Sequence, residues 1–87
     1  MVNNRPHGFF MPTGAQLRAA RAVIGLSASG VATETGLGVN TIRRAEDGGA
    51  AVLTFANAER LVATYRALGI TFLEANADGP GIRFHLT

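Results

Sequence analysis

Residues 26–46, LSASGVATETGLGVNTIRRAE, constrain this chain more than any other stretch. Two runs with helical apolar spacing are separated by a glycine-bounded link, Gly36-Leu37-Gly38. The first run places Val31, Ala32 and Thr35 on an inner face. The second places Ile42 and Ala45 there. Gly36 stops the first helix, because the residue past a helix end often needs positive φ. Ala32 is small where the two helices must approach closely. Packing of these inner faces leaves Val39, Asn40, Thr41, Arg43 and Arg44 on or near the outer face of the second helix.

Length limits what surrounds this unit. A chain of 87 residues makes one small domain. A domain of that size is only marginally stable alone, so a dimer would help it. The hydrophobic fraction of 47% suffices for a core, and with six aromatic residues the core must be mainly Ala, Val, Ile and Leu. Absence of cysteine removes disulfides, cysteine zinc sites and thiol catalysis, and fits a reducing cytoplasm. No apolar run approaches ~18 residues, so no membrane span is expected. The N-terminus has no continuous apolar stretch of the secretory kind.

The net charge is only +2, yet all eight basic residues are Arg. Arg suits bidentate phosphate and guanine contacts better than Lys does. The same bias follows from GC-rich coding, which also accounts for the many Ala and Gly residues. Other chemistry is sparse. His7 and His85 are too isolated for a metal site or a catalytic dyad. Glu34, Glu59 and Glu74 show no pairing suited to acid–base work. Gly36-Leu37-Gly38 lacks the rest of a phosphate loop. Neither a catalytic residue, a cofactor nor a metal is expected.

The rest of the chain reads as further short elements. Residues 1–12 show no periodicity and are expected to form a flexible arm, from which Arg5 and His7 can follow a minor groove. Thr13 and Gln16 have capping-box spacing. Leu17, Ala20 and Ile24 then recur at helical spacing, and Gly25 ends that helix. Leu26 returns to the core and Ser27 caps the next helix. The third helix is expected from about Val39 to Glu46, closed by Asp47-Gly48-Gly49. Thr54 can cap a fourth, with Phe55, Ala58, Leu61, Val62, Tyr65 and Leu68 on one stripe and Gly69 at its end.

The C-terminal part differs in kind. Residues 70–74 and 82–86 are rich in strand formers, and turn residues fill 75–81. This predicts a β-hairpin, or two strands that pair with a second chain. Ile82, Phe84 and Leu86 alternate with Arg83 and His85, so one face wants burial. Ile70 and Phe72 offer a matching face. Four short helices leave little surface to cover such a ribbon, so Ile70, Phe72, Ile82, Phe84 and Leu86 are expected at a dimer interface.

The outer residues of the second helix in the central unit have base-reading chemistry. Asn pairs with the adenine edge, and Arg with guanine or phosphate. Thr donates to phosphate or packs its methyl on thymine. The free amides near Ser27, Ala28 and Ser29 suit a backbone phosphate. Two helices joined by a glycine turn, the second carrying such side chains, describe a helix-turn-helix DNA reader.

These residues resemble the Xre family of phage-repressor-like helix-turn-helix regulators. The resemblance is carried by Leu17, Arg18 and Arg21, then Gly25, Leu26 and Ser27, then Ala32, Gly36 and Leu37, and finally TIRRAEDG at 41–48. It covers residues 13–69, about two thirds of the chain. It implies that residues 38–46 are the recognition helix. Val39, Asn40, Thr41 and Arg44 then fall on base-contacting positions, and Arg43 on a phosphate-contacting one. It also implies that Arg21 and Glu46 form an ion pair joining the first and third helices. The chain departs from the family at Ala28, where a DNA-touching Gln is usual, and at Gly38, where a Ser or Asp cap is usual. A glycine-rich lead into GIRF, at Gly79 to Phe84, also resembles short Xre-like regulators of mobile elements.

The expected fold is mainly α: four helices of a phage-repressor-like domain over 13–69, with a C-terminal β-hairpin or strand pair over 70–87. The expected function is transcription regulation of bacterial or mobile-element type by a homodimer on an inverted repeat of double-stranded DNA. A small antagonist protein is a further candidate partner, and the expected location is cytoplasmic, at the nucleoid. An antitoxin or protein-interaction adaptor on the same fold is the alternative.

Overall fold

A computed structural model describes residues 10–74 and 79–85. The expected arm contacts at Arg5 and His7, the turn residues 75–78 and Leu86 lie outside the described residues. Four α-helices are followed by a two-stranded antiparallel sheet: α1 (Gly14–Ile24), α2 (Ala28–Thr35), α3 (Val39–Gly48), α4 (Phe55–Ala67), β1 (Ile70–Leu73) and β2 (Gly81–Phe84). A 3₁₀ turn, Ala50–Val52, leads from α3 to α4.

Local chemistry sets most boundaries. Thr13 Oγ1 accepts the Gln16 amide at 3.1 Å, and Gln16 Oε1 accepts the Thr13 amide at 2.9 Å, a complete capping box. Ser27 and Thr54 each accept the amide three residues on. Helix α3 runs on to Gly48 instead of closing at Glu46. Its stop is Gly49, whose φ of 89° breaks the helical path.

Leu17, Val31, Ile42, Leu61, Tyr65 and Ile70 are the large, fully buried side chains around which the helices meet. Each buried aliphatic or aromatic group of this kind contributes about 1.5–3 kcal/mol. Phe55, expected on the inner stripe of α4, is instead 39% exposed. It is the first helical residue, ahead of the turns at which Ala58, Leu61, Val62 and Tyr65 reach the core. Met11 and Pro12, assigned to the arm, belong to the body. Met11 packs on the core, Pro12 is buried, and its carbonyl accepts the Ala50 amide at 2.9 Å.

The hairpin registers Ile70 with Phe84, Thr71 with Arg83, Phe72 with Ile82 and Leu73 with Gly81. Opposed residues share a face, so Ile70, Phe72, Ile82 and Phe84 lie together. That face is turned onto the helices: β1 packs on α4 and β2 on α1. Ile70 is 1% exposed, and Phe72 sets its ring edge-on to Tyr65 with centroids 5.7 Å apart. Ile70 thus belongs to the chain's own core and not to an interface, whereas the helices cover Phe72 and Ile82 only in part. Phe84 remains 38% exposed.

Gln16 fastens the hairpin. Its buried side chain donates from Nε2 to the carbonyls of Leu73, at 2.7 Å, and Gly81, at 2.8 Å. One amide thus caps α1 and closes both strands at the end away from Gly69. At the other end Gly69 has φ 102°, and a β-carbon there would come within 2.5 Å of the His85 carbonyl oxygen. The Phe84 ring lies over the space a larger residue would fill.

Candidate nucleic-acid interface

Helix α3 is amphipathic by position. Ile42, Ala45 and Glu46 are buried, whereas Asn40, Arg43, Arg44 and Asp47 are exposed. The exposed four stand at i, i+3, i+4 and i+7, one continuous stripe of the helix. Val39 and Thr41 flank it, half-buried. Gly38 supplies no side-chain cap, so the amides at the start of α3 meet no competing oxygen from their own cap. A positive dipole end of that kind favours an anion.

The α2–α3 link is held by one hydroxyl. Thr35 Oγ1 donates to the Val31 carbonyl at 2.8 Å and accepts the Leu37 amide at 3.1 Å. Gly36, at φ 75°, turns the chain out of α2. Leu37 packs against the core and Gly38 starts α3. The angle between the helices is therefore set by buried contacts, not by a loose loop. At the start of α2, Ser27 and Ser29 are exposed and Ala28 is half-buried. Ser27 Oγ takes the Gly30 amide at 3.0 Å, which leaves the amides of Ala28 and Ser29 to face outward partners.

Arg21 joins α1 to α3. Its Nε lies 2.6 Å from Glu46 Oε2 and its Nη2 3.0 Å from Glu46 Oε1, a bidentate fork. The Arg21 side chain is 28% exposed and the Glu46 side chain 8%. Hydrogen bonding to Glu46 holds the Arg21 guanidinium above its usual pKa, against the opposing effect of burial. Arg18 adds a bond from Nη1 to the Glu46 backbone carbonyl at 2.6 Å. A cation there complements the negative end of α3.

The structure thus places Asn40, Arg43 and Arg44 together on α3, with Val39 and Thr41 beside them. It sets Ser27, Ala28 and Ser29 at the start of α2, and brings Arg21 to Glu46. Ile70, Phe72 and Ile82 it turns inward. The long-range or linking roles of Gln16, Thr35 and Arg60 escaped sequence reasoning. The Gln16 latch was readable in part, since a polar residue next to Leu17 on the inner face of α1 needs partners. Thr35 gave the same kind of signal. Arg60 gave none: it lies on α4, yet its Nη1 reaches the turn at Gly36, 3.5 Å from where a β-carbon would stand. Among the described residues no three His, Cys, Asp or Glu side chains gather as a metal site would need. No helix there is long and apolar enough to cross a membrane.

A family model described as a helix-turn-helix domain matches residues 13–72. That span begins at the Thr13 cap and ends inside β1, so it takes in all four helices. No curated protein and no solved structure matches the chain.

Proposed function

The chain belongs to the helix-turn-helix domain family, and from that premise we propose that it reads double-stranded DNA by sequence and regulates transcription. Helix α3 is the element that enters the major groove. One observation carries this reading: Asn40, Arg43 and Arg44 form an exposed stripe on a helix whose opposite side is locked by Ile42, Ala45 and the Arg21–Glu46 fork. Asn40 and Arg44 read base edges, with Val39 and Thr41 alongside, and Arg43 holds phosphate. The amides of Ala28 and Ser29 hold a second phosphate. Within the family we assign the chain to the phage-repressor-like, Xre type, of bacterial or mobile-element origin. The bidentate ion pair between α1 and α3, which that resemblance implies, supports the assignment. No catalytic step is assigned to it.

A recognition helix of this length reads few base pairs, and a two-fold pair on an inverted repeat supplies the remaining specificity. The homodimer is built on the C-terminal element. With Ile70 committed to the core, the surface left for a partner is the exposed Phe84 and the outer edge that each strand of a two-stranded sheet leaves. Phe84→Asp then converts a sedimenting dimer to a monomer; a variant that remains dimeric moves the interface elsewhere.

Base reading is tested on duplexes selected by the purified protein from random sequence. Asn40→Ala and Arg44→Ala each weaken specific binding by about 1–3 kcal/mol and relax preference at one or two positions. Arg43→Ala weakens binding to all sequences evenly. Truncation of both Asn40 and Arg44 without loss of affinity refutes the assignment of α3 and favours a protein-binding adaptor.

A further inference from the structure

Exposed arginines near the two-helix unit are not confined to Arg43 and Arg44 of α3. Arg60 belongs to α4, one turn into the helix, and is exposed. Its Nη1 lies by Gly36, and no other side chain comes within 4 Å of the β-carbon position there. Gly36 is two residues before Gly38, the N-cap of α3. Among the described residues the Arg60 guanidinium has neither a hydrogen bond nor a carboxylate, while Arg21 has both. An Arg head that reaches toward another element and meets no acceptor there is open to an outside anion.

Docking geometry says which anion. A helix entering the major groove with its N-terminal residues toward the bases has a sugar-phosphate strand on either flank, the groove being about 12 Å wide. The turn preceding α3 lies at that flank. Resting on the reading of α3 as the groove helix, we propose that Arg60 grips a DNA backbone phosphate beside the α2–α3 turn, so that α4 contributes to binding from outside the helix-turn-helix unit. The contact fixes the angle of α3 in the groove and reads no base. The plainer role for Arg60, complementing the negative end of α2, which has no basic residue in its last turn, predicts a different outcome.

The test uses the full chain and mixed-sequence duplex DNA across a salt series. Arg60→Gln keeps a polar stem without the charge. It weakens binding about 3–10-fold at moderate salt, equally for selected and mixed sequence, and makes the slope of log affinity against log salt shallower by about one. Its thermal midpoint matches the parent. Arg60→Lys restores most of the slope. Arg66→Ala, in the last turn of α4, leaves it unchanged. A parental salt slope in Arg60→Gln, or a loss of affinity that tracks a fall in thermal midpoint, overturns the proposal in favour of the helix-end role. The inference fails alone if Asn40→Ala and Arg44→Ala still relax base preference. If those two also change nothing, the reading of α3 falls with it.

Discussion

Gly14 and the carbonyl oxygen of Glu46 lie so close that no β-carbon fits between them. The first residue of α1 is thus pressed on the backbone of α3, near the carboxylate that Arg21 holds. Gly14→Ala must push the two helices apart, because the obstacle is backbone and cannot rotate away. A loss of about 1–3 kcal/mol is expected, in the range of overpacked sites, read as a lower urea midpoint. Gly30→Ala on α2 is the matched control. Its nearest neighbour is the Leu26 Cδ2 at 3.3 Å, the end of a side chain. There the gain in helix propensity of about 1 kcal/mol offsets a small adjustment, and stability stays near the parent's.

The Gln16 side chain bonds both strands at once. Gln16→Leu keeps the volume but leaves the carbonyls of Leu73 and Gly81 without their donor. It also removes the second half of the capping box. The expected cost is about 2–3 kcal/mol. Amide exchange reports where the loss falls: the strands open sooner than α2 and α3. Uniform loss of protection would mean that the latch is not local.

The Arg21–Glu46 fork predicts an asymmetric cycle. Arg21→Met leaves a carboxylate only 8% exposed without its partner. That costs about 3 kcal/mol. The double change Arg21→Met with Glu46→Leu removes the buried charge altogether and costs less than Arg21→Met alone. Chemical denaturation of the four proteins checks this. Additive losses would show that the two charges act separately.

Tyr65 supplies a pH-dependent handle. Burial, with a smaller push from the Glu46 charge, raises its phenol to about 12 from the ordinary 10.0. The unfolded chain therefore releases this proton first. Stability from the buried neutral phenol is complete below pH ~10 and is lost as pH climbs toward ~12, by at most about 2–3 kcal/mol. The chain has one tyrosine and no tryptophan, so phenolate absorbance follows this group alone. Titration at an ordinary tyrosine value in the native protein would contradict the burial.

Most of residues 13–69 was legible because α1, α2 and α4 carry their own punctuation. Thr13, Ser27 and Thr54 cap, and Gly25 and Gly36 stop, all through contacts within a few residues. The stripe of Asn40, Arg43 and Arg44 follows from the burial of Ile42 and Ala45 by periodicity alone. The hairpin partners were legible as strands, but not their covering. Whether Ile70 and Ile82 meet helices or another chain depends on α1 and α4 coming together, which no local pattern encodes. Gly14, Gln16 and Arg60 act on residues far away in sequence; an inward Gln16 signals that it needs partners, but alphabet and spacing do not say which. The misjudged end of the arm has the same origin, since Pro12 is held by Ala50.

The Gln16 latch also orders events during synthesis. Its two acceptors lie 57 and 65 residues further along the chain. At translation rates of about 5–20 residues per second, the helix made first waits roughly 3–13 s for its last bonds. Through that interval α1 has its cap but not its hairpin, and the apolar side that β2 will cover faces the cell. A chain cut off before Gly81 and released would therefore hold helices α1 to α4 with that side of α1 bare.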